Sequence, residues 1–91
     1  MSTPATRILI VDDEVRSMRA LCDTLRVHGY DTDGYTSGED ALRALRDGRY
    51  DLLLSDLMMP GMDGVALLTA ALAVDPHLVG VMMTGMGTIE T

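Results

Sequence analysis

Residues 51–64 read DLLLSDLMMPGMDG, and their pattern is the clearest indication of the fold. The apolar run at 52–54 is typical of a strand that is buried on both faces of a parallel sheet. The run ends at a single carboxylate, Asp56, after which the chain turns at the Pro-Gly pair of 60–61. Asp63 can then cap a helix. Strand, acidic loop and helix in this order indicate one unit of an α/β fold.

The same alternation continues on both sides of this stretch. Apolar runs predict further strands, and helical spacing of apolar residues between them predicts helices. Four strands joined by helices favour a doubly wound α/β fold with a parallel sheet, right-handed crossovers and helices on both faces. The predicted elements, in chain order, are a strand at 8–11, a helix at 15–28 ended by Gly29, a polar edge strand at 31–36, a helix between Ser37 and Gly48, the strand at 52–56, a helix between Asp63 and Asp75, a strand at 78–83 and the first turn of another helix at 88–91.

Composition limits the functions that the chain can have. Its 91 residues suffice for one domain, and 14 acidic against 7 basic residues, all of them Arg, give a net charge of -7. Such a charge disfavours direct binding to nucleic acid or to a membrane surface, and favours metal cations and basic partners.

The one cysteine, Cys22, lies among apolar residues, which favours a buried thiol and a reducing compartment. No apolar run is long enough for a signal-peptide core or a membrane span. We therefore expect a cytoplasmic protein.

Polar residues lie at the carboxyl ends of three of the predicted strands. In open parallel sheets, ligands bind at this end of the strands. Asp12 and Asp13 follow the first strand, Asp56 ends the third and Thr84 ends the fourth. Two carboxylates at about 4 Å repel by roughly 4 kcal/mol at an effective dielectric constant near 20. The chain has no Lys to compensate, so a hard divalent cation such as Mg2+ is the favoured partner.

Each of these residues has an ordinary interpretation when it is taken alone. One of the paired acids could cap the first helix while the other is solvated, Asp56 could be a turn residue, and Thr84 could be a strand-end hydroxyl. Their occurrence at successive strand ends favours a phosphoryl site instead.

Three motifs resemble those of the receiver domain of two-component response regulators: LIVDDE at 9–14, SDLMMPGMDG at 55–64 and VMMTGMGT at 81–88. The resemblance covers residues 7–91. It implies a flavodoxin-like sheet with strand order 2-1-3-4. Residues 1–91 would then form an incomplete receiver domain that lacks most of helix four, strand five and helix five.

The resemblance also implies roles for individual residues. Asp56 would accept the phosphoryl group, Asp13 would bind Mg2+ directly, and Asp12 would hold the ion through water. The backbone carbonyl of Met58 would complete the protein's ligands, with Mn2+ as a substitute ion. Thr84 would contact the phosphoryl oxygens and signal the phosphorylated state. The donor would be a histidine kinase or a phosphotransfer protein, and the output domain of the parent protein is left open.

The chain departs from the family pattern in two respects. The family's Lys at the end of a fifth strand is absent, and without the last helix one sheet face would be bare, which predicts dimerisation or exchange of segments. Met58 and Met86, each two residues after a predicted site residue, are apolar. We expect slow self-hydrolysis of the phosphoryl group if they border it, whereas the alternative is that both are flexible core filler.

Two other functions compete with a phosphorylation-operated switch that is not itself an enzyme. One is a receiver-like scaffold that docks partners without phosphorylation. The other is a Mg2+-dependent phosphohydrolase with an aspartyl nucleophile. Such enzymes usually carry a second acid two residues after the nucleophile, where this chain has Met58.

Overall fold

The computed structural model describes residues 5–84 and the backbone of residues 87–90. Its elements form a five-stranded sheet of order β2-β1-β3-β4-β5, in which the first four strands are parallel. The doubly wound α/β fold and the order 2-1-3-4 are therefore confirmed. The elements are β1 (Arg7–Val11), α1 (Val15–Val27), β2 (Asp31–Tyr35), α2 (Gly38–Asp47), β3 (Leu52–Asp56), α3 (Gly64–Val74), β4 (Val79–Thr84) and β5 (Gly87–Glu90).

The sheet separates two apolar clusters, because successive side chains of a strand point to opposite faces. Leu9, Val11 and Leu53 pack against α2 and α3, and each is at most 1% exposed. On the other face, Ile8 and Ile10 pack against α1 around the buried Cys22. The prediction of a buried thiol is thus confirmed, and helices cover both faces of the sheet.

The helix ends agree with the turn chemistry of the sequence. The Ser37 hydroxyl caps α2 by accepting from the Asp40 N–H, and Asp63 caps α3 by accepting from the Ala66 N–H. Gly29 follows α1 with φ +95°, a conformation that glycine adopts without strain. The cap of α1 is Glu14, whose side chain accepts from the Arg16 N–H, so neither Asp12 nor Asp13 has that role.

The prediction of a helix beginning at 88–91 is wrong for the described residues. Gly87–Glu90 is a strand that pairs antiparallel with β4, in a register that joins Thr84 to Gly87. The expectation that the sheet ends at strand four is corrected as well. The physical reason is that a bare β4 edge would leave backbone N–H and C=O groups unpaired, and pairing with Gly87–Glu90 provides partners for them.

One half of the α1 face of the sheet is poorly covered. The α1 helix packs on β1 and β2, whereas the side chains of β3 and β4 on this face are only partly buried or exposed. Val79 is 44% exposed. The residues of this partly covered surface, called the bare face below, are Leu52, Leu54, Val79, Val81 and Met83.

In the ranges that the structure describes, no helix is long and apolar enough to cross a membrane.

Candidate metal centre

Three carboxylates meet at the carboxyl end of the sheet. The β1–β3 register pairs Val11 with Ser55, so that the residues which follow them, Asp12 and Asp56, lie side by side. Asp12, Asp13 and Asp56 each offer an oxygen atom, and these three atoms lie within 4.8 Å of one another. The convergence predicted from the strand ends is therefore present in the fold.

Asp12 is the most buried member of this group, at 8% exposure. Its backbone N–H donates to the Tyr35 carbonyl at 3.2 Å, and its Oδ1 accepts from the Glu14 N–H at 2.9 Å. Burial raises the pKa of Asp12, and the neighbouring charges of Asp56 and Asp13 act in the same direction, against the opposing effect of the Glu14 hydrogen bond. The folded chain thus holds this negative charge at a cost unless a cation is bound.

Asp56 ends β3 and is half-buried. Its Oδ1 accepts from the Met58 N–H at 3.2 Å, while the next residue, Leu57, donates its N–H to the Met83 carbonyl at 2.8 Å. The Leu57 carbonyl in turn accepts from the Gly64 N–H at 3.0 Å. These bonds tie the acidic strand end to β4 on one side and to the first turn of α3 on the other.

The loop between Asp56 and α3 carries three methionines with different surroundings. Met59 is buried in the core, and Met62 lies against Gly38 at the start of α2. Met58 is 76% exposed. Met86, the other methionine predicted to border the site, lies outside the described residues.

Thr84 ends β4 at the same edge of the sheet. The β3–β4 register pairs Asp56 with Met83, so Thr84 stands one position further along the strand next to that of Asp56. It is half-buried. The fold therefore brings all five predicted site residues, Asp12, Asp13, Asp56, Met58 and Thr84, to one end of the sheet.

The carboxylate group fits a hard divalent cation. In the described part of the chain, the ion pairs of arginine use Asp23, Asp31, Asp33 and Asp40. None of them neutralises the three carboxylates at the site. Ligand oxygens of an octahedral Mg2+ are about 2.9 Å apart when adjacent and about 4.2 Å apart when opposite. Oxygens that lie within 4.8 Å of one another therefore need to close by no more than about 2 Å to bind one ion. The donor type, the spacing and the uncompensated charge all suit Mg2+.

Two neighbours of the site were not predicted. Glu14 was assigned no role from the sequence, and it caps α1. Gly64 follows the cap of α3 and is buried directly behind Asp56 and Leu57. The Asp-Gly pair after the loop was the only sequence signal for this contact, because the approach of the α3 backbone to β3 depends on the packing of the two elements.

A groove of about 500 Å³ lies at the opposite end of the sheet. None of the predicted site residues lines it. Its walls come from the ends of α2 and α3 and from the segments that follow them, namely Leu45, Arg46, Gly48, Arg49, Tyr50, Asp51, Val74, Asp75 and His77.

Comparison with known proteins agrees with this geometry. Residues 8–91 match the family described as "Response regulator receiver domain". The chain is 35% identical over 85 residues to the C4-dicarboxylate transport transcriptional regulatory protein DctD of Rhizobium meliloti. The matched region covers 93% of this chain and 18% of that protein. The chain thus spans less than a fifth of this relative.

Solved structures show the same fold. The response regulator TrrA of Thermotoga maritima in complex with Mg2+-BeF matches with a TM-score of 0.81 and 33% identity, over 87% of this chain and 69% of that one. A match in the complex of histidine kinase ThkA with TrrA has a TM-score of 0.80 and 32% identity, over 88% of this chain and 69% of that one. Receiver domains bind Mg2+ at an acidic pocket and pair with histidine kinases. The chain belongs to the response regulator receiver domain family, the phosphoacceptor switches of two-component signalling.

Proposed function

We propose that residues 1–91 form a receiver domain in which Asp56 accepts a phosphoryl group with the help of Mg2+. The observation that carries this proposal is the group of three carboxylate oxygens within 4.8 Å at the ends of two adjacent strands. Asp12, Asp13 and Asp56, with the backbone carbonyl of Met58, would hold the ion, and Mn2+ would substitute for it.

The chemistry assigned to Asp56 is a phosphoryl transfer. A carboxylate oxygen of Asp56 forms a bond to phosphorus while the bond between phosphorus and a histidine nitrogen of the donor breaks, and the imidazole leaves with a proton. Mg2+ would supply neutralisation of the charge on the oxygens of the phosphoryl group. The Met58 N–H, which donates to Oδ1, helps to hold the carboxylate in one orientation.

Thr84 has the second role in this proposal. Its position at the end of β4, beside the strand that carries Asp56, supports a hydrogen bond from the hydroxyl to a phosphoryl oxygen. Movement of Thr84 toward the phosphoryl group would then report phosphorylation to the surface of the domain.

The proposed donor is a histidine kinase or a phosphotransfer protein of the cytoplasm. The ThkA–TrrA complex supports this proposal, since it joins a histidine kinase to a response regulator that resembles this chain. The bare face supports self-association or exchange of segments as a second kind of contact.

Two observations favour a switch over the competing functions. Met58 occupies the position at which an aspartyl phosphohydrolase would need a second acid, which argues against turnover of an external substrate and against an enzyme. A docking scaffold would have no need for three converging carboxylates, which repel one another without a cation.

The decisive experiment is intact mass spectrometry of the chain after incubation with Mg2+ and a small acyl phosphate. We expect a gain of one phosphoryl group in the parent chain and none in Asp56→Asn. Asp75→Asn, which changes an acid at the other end of α3, is the matched control and should be phosphorylated like the parent. Equal labelling of Asp56→Asn would refute the assignment, and no labelling of any variant would favour the scaffold.

Slow self-hydrolysis is expected from the surroundings of Asp56. The exposed thioether of Met58 cannot accept a strong hydrogen bond from an attacking water. Met58→Gln should therefore shorten the lifetime of the phosphoryl group by a few-fold relative to Met58→Leu. The measurement is the decay of the phosphorylated mass, and equal lifetimes in the two variants would count against this expectation.

A further inference from the structure

We propose that Gly64 is a positioning residue for Asp56, because the absence of a side chain lets the first turn of α3 fit against the backbone of the acceptor. The inference rests on the proposed function for its consequence, but its geometric part is independent of phosphorylation and of Mg2+. It concerns a residue that contacts neither the ion nor the phosphoryl group.

The backbone of α3 approaches that of β3 unusually closely at this point. A Cβ atom placed on Gly64 would lie 2.5 Å from the carbonyl oxygen of Asp56 and 2.9 Å from the Cα of Leu57. Both distances are shorter than the contacts that Cβ atoms make in folded proteins. Gly64 lies in α3 without a positive φ, so the site requires space rather than unusual backbone freedom.

The contact is held by hydrogen bonds that leave little room for adjustment. The Gly64 N–H donates to the Leu57 carbonyl at 3.0 Å, and the Leu57 N–H donates to the Met83 carbonyl at 2.8 Å. Asp56 is also the last residue of a strand that is paired on both sides. A methyl group at position 64 must therefore displace either α3 or the Asp56–Leu57 peptide. Both movements change the position of the Asp56 carboxylate relative to Asp12 and Asp13.

Other glycines supply matched controls. A Cβ atom on Gly80 would also collide, but its three nearest neighbours are all side-chain atoms of Leu68. A Cβ atom on Gly48 would meet nothing closer than 3.6 Å, an ordinary contact. Gly80→Ala thus tests crowding of α3 against β4 away from the carboxylates, and Gly48→Ala tests the loss of a glycine without crowding.

The nature of the neighbouring atoms predicts different rescue behaviour. Leu68→Ala should relieve Gly80→Ala, since it removes the three atoms nearest to the new methyl group. The Sδ of Met82 lies 2.9 Å from the Cβ position of Gly64, but the closest neighbour there is the backbone. Met82→Ala should therefore fail to restore Gly64→Ala.

The test combines amide NMR spectra without metal, Mg2+ titration and the rate of phosphorylation by a small acyl phosphate. In Gly64→Ala we expect displaced amide signals for Asp56, Leu57 and Met58, together with weaker Mg2+ binding. Phosphorylation should be at least about tenfold slower than in the parent, because the rate of such a transfer is sensitive to displacements of about 1 Å. Gly80→Ala and Gly48→Ala should keep these signals and react within about twofold of the parent.

Several outcomes would overturn the inference. These are parent-like amide signals in Gly64→Ala, an equal loss of rate in Gly80→Ala, or rescue by Met82→Ala. Trimethylamine oxide should refold Gly64→Ala if that variant is unfolded in buffer, since this osmolyte favours compact states. A chain that stayed unfolded would also refute the inference, because Gly64 would then be a requirement of the whole fold. The two proposals can fail separately. If the parent chain is never phosphorylated but Gly64→Ala still shows displaced amide signals, the proposed function is refuted and the positioning role of Gly64 stands.

Discussion

Asp12 shows at the scale of one residue how the site opposes the stability of the fold. Because its folded pKa is raised, the unfolded chain gives up this proton at lower pH than the folded chain. The fold therefore loses stability as the pH rises from the ordinary pKa of aspartate through the raised pKa of Asp12. At neutral pH the charge of Asp12 therefore lowers the free energy of unfolding, and a bound cation would offset this loss.

We predict that Asp12→Asn raises the free energy of unfolding at pH 7 without Mg2+, by on the order of 1 kcal/mol, because it removes a buried charge beside two others. In the parent chain, Mg2+ at a hundredfold excess over its Kd should add about 2.7 kcal/mol, and the variant should lose most of this gain. Urea titration with and without Mg2+ measures both effects. Asp23→Asn, at an exposed acid of α1, should change neither.

Tyr50 illustrates a residue whose role is purely structural. Its hydroxyl donates to Asp33 Oδ2 at 2.6 Å, and the same oxygen accepts from Arg7, whose guanidinium lies 4.6 Å from the centre of the Tyr50 ring. Burial raises the pKa of Tyr50, and the hydrogen bond to Asp33 adds to the effect. The group joins β1, β2 and the segment before β3.

We predict that Tyr50→Phe lowers the free energy of unfolding at pH 7 by about 1 to 3 kcal/mol, since a hydrogen bond to a carboxylate is lost. The folded pKa is raised, so the stability that Tyr50 contributes is present below pH 10 and is lost as the pH rises above the ordinary pKa of tyrosine, near 10. Urea titrations at pH 7 and pH 10.5 should show a smaller alkaline loss in Tyr50→Phe than in the parent. Tyr30→Phe, at a 40% exposed tyrosine, is the control and should resemble the parent.

At the scale of elements, α3 differs from the other two described helices because neither of its end turns carries a favourably placed charged residue. Its interior is apolar, without an acidic residue in the first turn or a basic residue in the last turn. The Asp63 carboxylate, which accepts from the Ala66 N–H at 2.8 Å, is therefore the main polar group that favours its N-terminus.

We predict that Asp63→Ala lowers the free energy of unfolding by about 1 kcal/mol. Asp63→Asn keeps an oxygen acceptor at the cap and should lose only a fraction of this amount. Thermal unfolding followed by circular dichroism distinguishes the two variants. Equal losses in both would show that the charge, and not the hydrogen bond, stabilises α3.

The pairing of β5 with β4 shows a limit of local patterns. Residues 88–91 read as the start of a helix because the sequence offers only a few residues there, and a strand and a helical first turn have similar short patterns. The free edge of β4 decided the outcome, since backbone groups along that edge need partners. That edge exists only once β3 and β4 are assembled.

At the scale of the whole molecule, the bare face is an apolar surface that a second copy of the chain could cover. Its residues on β3 and β4 form a continuous apolar surface on a chain of net charge -7. Apolar area that water covers in the monomer is removed from water when two copies meet, and this gain opposes the repulsion between like-charged chains.

We predict that the isolated chain self-associates, and that Val79→Gln shifts the equilibrium toward the monomer. Val65→Gln is the matched control, because Val65 is 58% exposed on α3, away from the bare face. Sedimentation velocity over a range of concentrations and at two salt concentrations measures the effect. A parent chain that stays monomeric at millimolar concentration would contradict the prediction.

Local patterns in the sequence were enough to predict the order of the strands and helices along the chain, the caps at Ser37 and Asp63, and the set of acids at the strand ends. Those features depend on periodicity and on hydrogen bonds between residues close in the chain, and both can be read locally. The three motifs then supplied the family and the expected roles of Asp12, Asp13, Asp56, Met58 and Thr84.

The folded structure was needed to reveal three further features: the burial of Asp12, the pairing of strand β5 with β4 and the close approach of Gly64 to Asp56. Each of these depends on how densely elements pack or on which edge remains free, and packing is a property of the assembled sheet and helices. The sequence places a carboxylate at the end of β3, but the distance from Asp56 to its neighbours is fixed by contacts between residues that are far apart in the chain.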